Sequence, residues 1–401
     1  MARMSKDRGL DHAKPEKIGL NEKALDRLGE TLKREIGEGR MPGAVAMIAR
    51  RGRVGYFEAF GKRDPGAADA MEKDCIFRIY SMTKPLVSTA IMMLVEEGRI
   101  LLGDPLSKYV PAFADVKVGV ERDGELTLVA PERPITIQDL LRHTSGLTYD
   151  FVGGGGHPVQ KLYAQADLAQ PKQTNADQVE ALAKLPLLNQ PGACWDYSRS
   201  TDVLGRIVEI VSGRTLGEEL SRRVFEPLDM KDTAFSVPQK HQDRIAEPFP
   251  IDPEAKTPVN LLNVRRPAMF ESGGGGLAST AGDYARFCAM LAGGGAFGNE
   301  RILARKTLEL MASDHLGPHM RRGSDLLPAG HGFGLGFAVR NAPGMTFVPG
   351  SVGLFYWGGI AGTTFWIDPK EDLFALMMIQ APGQRDYYRM LFRTLVYAAV
   401  E

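Results

Sequence analysis

Strand-like runs lie at the two ends of this chain, and helix starts dominate its middle. Near the N-terminus, residues 44–60 form two apolar runs broken by Arg51-Gly52, which is a hairpin signal. Toward the C-terminus, apolar runs separated by Gly, Pro and Asp predict further strands at residues 334–339, 353–357, 363–367 and 373–379. The simplest architecture therefore combines strands from both ends in one sheet.

The region between the strand-like runs carries repeated helix-start signals. Three pairs match a capping box, in which a threonine is followed three residues later by an acid: Thr136 with Asp139, Thr215 with Glu218, and Thr280 with Asp283. The last segment, 387–400, has apolar residues at helical spacing and is expected to cover one face of the sheet. We therefore expect a discontinuous α/β domain from residues 1–105 and 300–401, an inserted mainly helical domain at 106–299, and an active site between them.

Charge and cysteine content exclude several classes of function. Lys plus Arg and Asp plus Glu each total 49, so the net charge is zero and does not favour nucleic acid or anionic lipid. Cys75, Cys194 and Cys288 form no C-x-x-C pair, and reduced, buried thiols are expected. No run approaches the eighteen or so apolar residues of a membrane helix, and residues 1–17 lack the apolar stretch of a secretory leader. A cytoplasmic protein with a small neutral partner is expected, and the oligomeric state is not encoded.

Ser81 and Lys84 are the first pair that suggests chemistry. They stand in Ile79-Tyr80-Ser81-Met82-Thr83-Lys84-Pro85, ahead of a long apolar stretch, so a helix is predicted to begin at Ser81. Residues three apart share a helix face, which places the hydroxyl beside the amine. A lysine can take the proton of a serine if burial lowers its pKa enough to leave it uncharged. Alone, the S-x-x-K spacing arises about once by chance in a chain of this length.

Tyr197 and a glycine-rich strand end are the next candidates. Tyr197 follows Pro191-Gly192 and precedes a predicted helix, and its phenol can relay protons if cations hold it near the phenolate form. An isolated tyrosine is more often a packing residue. The sequence Tyr356-Trp357-Gly358-Gly359-Ile360 predicts a strand running into glycines that allow close approach, and the N–H groups of Ile360 and Ser81 would then form an oxyanion hole. Glycines between strands also mark a simple turn or bulge.

The order of these three elements resembles the class C β-lactamase and penicillin-binding protein superfamily, whose signature is S-x-x-K, then Y-x-N, then K-T-G. Supporting stretches at 136–147, 197–213 and 273–287 are similar as well, so the resemblance spans residues 42–383. It implies the serine β-lactamase-like fold, an antiparallel sheet flanked by helices. It also implies Ser81 as acylated nucleophile, Lys84 as its general base and Tyr197 as proton relay, with no metal or organic cofactor.

Two departures from the superfamily pattern suggest a subfamily. Trp357-Gly358-Gly359 stands where β-lactamases have K-T-G, so the lysine that holds an antibiotic's carboxylate is missing. Trp-Gly-Gly at this point is similar to family VIII carboxylesterases, which cleave short-chain esters. Arg199 replaces the asparagine of Y-x-N and is a possible alternative carboxylate partner. We count Trp357, Gly358, Gly359 and Arg199 as substrate-binding candidates.

Other nucleophile and metal patterns are missing from the sequence. No G-x-S-x-G elbow points to an α/β-hydrolase, and no histidine spacing points to a metal. His143 is predicted to be structural, His331 is retained only as an alternative lining residue of the cleft, and 153–156 is expected to be a flexible loop. The sequence thus predicts a serine carboxylesterase. The alternatives are a β-lactamase or D-amino-acid peptidase, an acyltransferase, and a catalytically silent binding scaffold.

Overall fold

The computed structural model describes residues 9–122, 124–168, 170 and 172–401. Residues 1–8, which belong to the polar stretch 1–17 that does not resemble a secretory leader, lie outside the described residues. The strands, in chain order, are β1 Gly43–Arg50, β2 Arg53–Gly61, β3 Ile76–Arg78, β4 Val118–Arg122, β5 Glu125–Val129, β6 Cys194–Trp195, β7 Ala278–Thr280, β8 Ala296–Phe297, β9 Glu300–Arg301, β10 Arg321–Arg322, β11 His331–Phe333, β12 Ala338–Arg340, β13 Phe355–Gly358, β14 Thr364–Asp368 and β15 Leu373–Ile379. The α-helices are α1 Glu22–Gly37, α2 Thr83–Glu96, α3 Ile137–Leu141, α4 Pro158–Gln165, α5 Asn175–Ala183, α6 Ser200–Ser212, α7 Leu216–Leu220, α8 Ala281–Ala292, α9 Arg305–Met311 and α10 Arg385–Tyr397.

Strands from both ends of the chain form one sheet, as the sequence predicts. Its order is β11-β12-β13-β14-β15-β1-β2, and every neighbouring pair is antiparallel. β1 pairs with β15 in a register that runs from Ala44 opposite Ile379 to Arg50 opposite Leu373. The expected antiparallel sheet flanked by helices is confirmed.

Helices cover both faces of this sheet, which explains why all eight residues of β1 are buried. Successive side chains of a strand point to opposite faces. Accordingly, Ala44, Ala46 and Ile48 pack in one apolar cluster with the terminal helices α1 and α10. Val45 and Met47 belong to the other cluster, which includes α2 and α8. The N- and C-terminal segments thus close one face, while the helices next to the site close the other.

Helix α2 runs through the interior of the protein. Eleven of its residues are buried, from Thr83 to Leu94, and seven of these are apolar. A helix of this kind is stable only when other elements surround it. Its N-terminal end carries the predicted Ser81 and Lys84 pair, so the site begins at a rigid point in the core.

Three local predictions differ from the structure. Ser81 lies in a short 3-10 turn, Tyr80–Met82, which precedes α2 instead of forming its first turn. The predicted strand at 334–339 is wrong over most of its length, because the chain turns between β11 and β12 at Gly336. Gly336 has a φ of 105°, and a Cβ there would lie 2.6 Å from the Ser88 hydroxyl of α2. The middle region also contains a β-hairpin, β4 with β5, that was not predicted.

The cysteine prediction and two of the three capping boxes agree with the structure. At α8 the Thr280 hydroxyl accepts from the Asp283 N–H, but the Asp283 carboxylate accepts from the Asp232 N–H and the Thr233 hydroxyl. Thr136 and Thr215 each form a complete capping box with the acid three residues later, at α3 and α7. Cys75, Cys194 and Cys288 are free and buried, as expected. The domain boundaries at 105/106 and 299/300 stay predictions. Within the described ranges, no helix combines the length and apolar character needed to cross a lipid bilayer.

Candidate active site

The Tyr80–Met82 turn holds Ser81 through contacts to neighbouring elements. The phenol of Tyr284, on α8, donates to the Met82 carbonyl at 2.9 Å, and the Leu277 N–H donates to the Thr83 hydroxyl at 3.2 Å. Tyr80, directly before Ser81, has a φ of 44°, which is the left-handed region that L-residues rarely adopt. A strained residue next to a reactive one persists only where the surroundings over-determine it, and such strain clusters at functional sites.

Lys84 is buried beside Ser81. Its Nζ lies 3.5 Å from the Ser81 Oγ, and the residue is 1% exposed. The same Nζ donates to the Gly274 carbonyl at 2.6 Å. Gly274 is in turn fixed by Asp202, whose Oδ1 accepts from the Gly274 N–H at 2.9 Å. The glycine-rich loop at 273–276 thus supplies a main-chain acceptor for the lysine, a contact that the sequence did not predict.

Tyr149 is a second contact of Lys84 that the sequence analysis missed. Its Oη lies 3.2 Å from the Lys84 Nζ, and its ring centroid is 5.5 Å from that of Tyr197. Tyr149 is also stacked on the exposed ring of Phe151 at 5.0 Å. The only signal in the sequence was its position just after the stretch 136–147, which is similar to the superfamily, and this does not identify a tyrosine as functional.

The charge of Lys84 differs from the prediction. Burial lowers the pKa of Lys84, but the phenols of Tyr149 and Tyr197, together with Asp202, outweigh burial and raise this pKa above its ordinary value. These surroundings favour the ammonium form of Lys84, which is contrary to the prediction that burial leaves the amine uncharged. Burial also raises the pKa of Tyr149 to about 12, although the nearby Lys84 charge opposes this.

Tyr197 lies against Lys84 and contacts the strand that carries Trp357. The Lys84 Nζ is 4.5 Å from the centroid of the Tyr197 ring, a distance typical of a cation–π contact. The indole N–H of Trp357 donates to the Tyr197 Oη at 3.3 Å. Both side chains are buried, at 6% and 8% exposure. The structure therefore brings Ser81, Lys84, Tyr197 and Trp357 together.

The glycines after Trp357 allow β13 to pack closely against the nucleophile turn. A Cβ on Gly359 would lie 2.3 Å from the Ile79 carbonyl, so no other residue fits without displacement. A Cβ on Gly358 would lie 2.7 Å from the Arg389 guanidinium. Ile360, the predicted second oxyanion donor, follows directly and is 43% exposed. Close backbone packing thus requires the glycine at 359, whereas Gly358 contacts the Arg389 side chain, and the oxyanion hole stays a prediction.

Arg199 lies at the site but already has neighbours. Its guanidinium carbon is 5.2 Å from the centroid of the Tyr149 ring, and Nη2 is 3.8 Å from an oxygen of Asp150. An ion pair with Asp150 leaves less of the arginine's charge for a substrate carboxylate. The role of Arg199 as a carboxylate partner stays a prediction.

The two histidines singled out in the sequence are buried. His143 Nδ1 lies 3.1 Å from the Ser198 hydroxyl, and burial together with the Lys84 charge holds the pKa of His143 well below its usual value. Its ring packs 4.9 Å from that of Tyr197, in line with the predicted structural role. Burial lowers the pKa of His331 to about 4, and its Nδ1 lies 3.1 Å from the Ala329 carbonyl.

A cavity of about 600 Å³ lies beside β4 and the loop that follows Tyr149. Its lining residues include Gly153, His157, Gln160, Cys194 and Arg321. The Gln160 amide donates to the Tyr149 carbonyl at 3.3 Å, which links this cavity to the backbone of the site. Ser81 does not line it. The 153–156 loop therefore borders a cavity that is separate from the nucleophile.

Comparisons with known proteins confirm the predicted serine β-lactamase-like fold. The beta-lactamase family model matches residues 23–398. An uncharacterized protein of Mycobacterium tuberculosis is 36% identical over 365 residues, which are 89% of this chain and 90% of the relative. Esterase EstB of Burkholderia gladioli is 29% identical over 390 residues, 93% of this chain and 95% of EstB. The solved structure of EstCE1, described as a hydrolase with promiscuous acyltransferase activity, has a TM-score of 0.79 and 29% identity, covering 93% of this chain and 98% of EstCE1.

Proposed function

This chain belongs to the beta-lactamase family and is a serine hydrolase, and we propose that it is a family VIII carboxylesterase acting on short-chain carboxylic esters. In this proposal Ser81 is the nucleophile and carries the acyl group between two half-reactions. The observation that carries the proposal is the position of Lys84. Its Nζ is 3.5 Å from the Ser81 Oγ, and its side chain is buried between Tyr149 and Tyr197.

The proton acceptor for Ser81 is the cluster of Lys84, Tyr149 and Tyr197 after it has lost one proton. Because Lys84 is charged in the resting site, the reactive form contains either the free amine or a phenolate beside the ammonium. The Ser81 Oγ attacks the ester carbonyl carbon while its proton passes to this cluster. The tetrahedral oxyanion is held by the N–H groups of Ser81 and Ile360.

Collapse of the tetrahedral intermediate breaks the bond to the alcohol oxygen. Tyr197, which packs on Lys84, returns the proton to the departing alkoxide, so the alcohol leaves neutral and Ser81 is acylated. Water then gives a proton to the same cluster and attacks the acyl-enzyme carbonyl. The carboxylic acid departs, and Ser81 regains its proton. The cluster ends each half-reaction with the protons it started with.

The surroundings of Ser81 favour an uncharged ester over an antibiotic. Trp357 occupies the position of the lysine that binds a carboxylate in β-lactamases, and its N–H is directed to Tyr197. Phe151 stacks on Tyr149, and Ile360 follows the glycines of β13; both side chains are exposed apolar groups, at 57% and 43% exposure. Apolar groups at the rim of the site favour the acyl or alkyl parts of a neutral substrate over a charged one.

Turnover of p-nitrophenyl esters from C2 to C12, with nitrocefin alongside, tests this proposal. We expect hydrolysis of the short esters, a much smaller kcat/KM for nitrocefin, and a phosphonate adduct on Ser81 by mass spectrometry. Ser81→Ala should lose both turnover and adduct. An adduct on another residue, or a nitrocefin kcat/KM that equals that of the best ester, contradicts the proposal.

Acyl transfer is a second candidate because EstCE1, which is similar over most of the chain, is described as having promiscuous acyltransferase activity. In that reaction an alcohol or amine replaces water as the acceptor of the acyl group from Ser81. Adding short alcohols to an ester assay separates the two outcomes. A transferase forms the new ester in preference to the acid, whereas a hydrolase releases mainly the acid.

A further inference from the structure

We propose that Arg389, on the C-terminal helix α10, is a positioning residue that orients and polarises the Gly359–Ile360 peptide as an oxyanion donor. Arg389 does not touch the reacting atoms. The proposal rests on the esterase function above, because it concerns the N–H group that would bind the oxyanion of the tetrahedral intermediate. Arg389 lies outside the three sequence motifs and influences the reaction through the Ile360 N–H.

The guanidinium of Arg389 lies directly against the glycines of β13. Its Nη2 donates to the Gly359 carbonyl, and its Nη1 is 3.2 Å from an oxygen of Asp386. A Cβ on Gly358 would lie 2.7 Å from the same guanidinium, so the strand and the arginine are in close contact. The arginine side chain is 28% exposed. This contact places the positive charge of Arg389 beside the two glycines that follow Trp357.

Peptide planarity carries the effect of this bond to Ile360. The carbonyl of Gly359 and the N–H of Ile360 belong to one peptide unit, and no cis peptide occurs among the described residues. In a planar trans unit the C=O and the N–H point in opposite directions. Fixing the Gly359 carbonyl toward α10 therefore fixes the Ile360 N–H away from α10.

The Ile360 N–H is available for a ligand. In the described part of the chain it donates to no protein acceptor, whereas the neighbouring Gly359 N–H donates to the Thr363 carbonyl at 2.8 Å. Gly359, directly after β13, packs on the Ile79 carbonyl, two residues before Ser81. An oxyanion hole needs a main-chain donor that is not already paired, and the Ile360 N–H meets this requirement.

The charge of Arg389 adds to this orientation. The Gly359 carbonyl also accepts from the Gly362 N–H at 3.0 Å, so the turn alone already restricts the peptide. A charge-assisted bond to the same carbonyl polarises the peptide unit and strengthens its N–H as a donor. Removing a whole oxyanion donor costs about 10²–10³ in kcat, so weakening one donor should cost less, about tenfold.

Arg389→Met and Arg389→Lys, with Arg385→Met as the matched control, test the proposal. Arg385 lies one turn earlier on α10 and is also close to Asp386, at 3.8 Å, but it donates to the Pro382 carbonyl instead of Gly359. For a p-nitrophenyl ester, Arg389→Met should lower kcat about tenfold and leave KM within about twofold. Its inhibition constant for an alkyl boronic acid, which forms a tetrahedral adduct, should rise by about the same factor.

Arg389→Lys keeps a cation and should recover part of the lost kcat, and Arg385→Met should match the wild type in both measurements. An unchanged kcat and boronate affinity in Arg389→Met overturns the proposal, as does an equal loss in Arg385→Met. If Arg389→Met does not fold, a wild-type kcat in a folded Arg389→Gln, which lacks the charge, also overturns it. A wild type that forms no Ser81 adduct with a phosphonate overturns the esterase function, and this inference with it.

Discussion

The Lys84 Nζ lies 3.2 Å from the Tyr149 Oη, closer than the 3.5 Å that separates it from the Ser81 Oγ. The amine that the superfamily signature pairs with a serine is therefore bound at least as firmly by a tyrosine outside that signature. Since this environment raises the pKa of Lys84, the loss of a proton from the cluster controls how much enzyme can react.

The pH dependence of esterase activity follows from this raised pKa. The cluster must lose a proton before it can accept one from Ser81, so kcat/KM should increase with pH, by up to about tenfold per unit, through the neutral and mildly alkaline range. Initial rates with p-nitrophenyl butyrate between pH 6 and 9, corrected for spontaneous hydrolysis, give this profile. A flat profile over that range contradicts a charged resting Lys84.

Tyr149→Phe should move the rise in kcat/KM to lower pH. Tyr149 makes the largest single contribution among those that raise the pKa of Lys84, so losing its oxygen makes the lysine easier to deprotonate. Tyr163→Phe is the matched control, because Tyr163 is fully buried nearby but its hydroxyl has no hydrogen-bond partner in the described chain. A shift to higher pH, or the same shift in both variants, argues against this role for Tyr149.

Trp357→Phe should lower kcat/KM about five- to tenfold, because it removes the hydrogen bond that the indole N–H donates to the Tyr197 Oη. A typical hydrogen bond contributes about 1 kcal/mol net, which corresponds to a factor of about five. Trp366→Phe is the control. Trp366 lies on the adjacent strand β14, its indole N–H has no partner in the described residues, and it packs on Phe392 of α10. Steady-state rates and melting temperatures of both variants separate the two effects. Equal losses of activity would mean that packing, and not the bond to Tyr197, matters.

Asp196→Asn should stabilise the protein at alkaline pH. Asp196 is 2% exposed, and neither of its side-chain oxygens has a hydrogen-bond partner among the described residues. Burial raises the pKa of Asp196 to about 6, so the folded state prefers the protonated acid. The resulting stability is complete below pH 4 and is lost as the pH rises through 6.

At pH 8 the variant should therefore gain about 3 kcal/mol in free energy of unfolding over the wild type, and the gain should shrink toward pH 4. Asp283→Asn provides the comparison. Burial also raises the pKa of Asp283 to about 6, but the Asp283 carboxylate accepts from the Asp232 N–H at 2.7 Å and from the Thr233 hydroxyl at 3.0 Å. We expect a smaller gain there. Urea unfolding at pH 5 and pH 8 measures both, and a loss of stability in Asp196→Asn at pH 8 would show that its carboxylate is satisfied.

Local patterns were enough to predict the elements that carry the site. The spacing of Ser81 and Lys84, the position of Tyr197 before α6 and the strand run at 373–379 each depend on neighbouring residues, and the structure has β15 over that same range. The glycines after Trp357 also matter as expected, because they permit close backbone approach.

The charge of Lys84 could not be predicted in the same way. It depends on Tyr149 and Gly274, which stand 65 and 190 residues from Lys84 in the chain. The sequence indicated a buried amine, and burial alone lowers a lysine pKa. Only the folded arrangement shows the phenols and the carbonyl that reverse this. The missed turn at Gly336 has a similar origin, since its partner is Ser88 on α2.

The pairing of β1 with β15 has a consequence for how the protein is made. During translation the β1–β2 hairpin leaves the ribosome long before the strand that must lie on its other side. Until then the apolar edge of β1 and the surface beneath α2 remain open to water, to chaperones and to other nascent chains. Synthesis of the sheet's last strand is therefore the event that closes the core around the nucleophile, and slow or interrupted translation should yield inactive, aggregation-prone fragments.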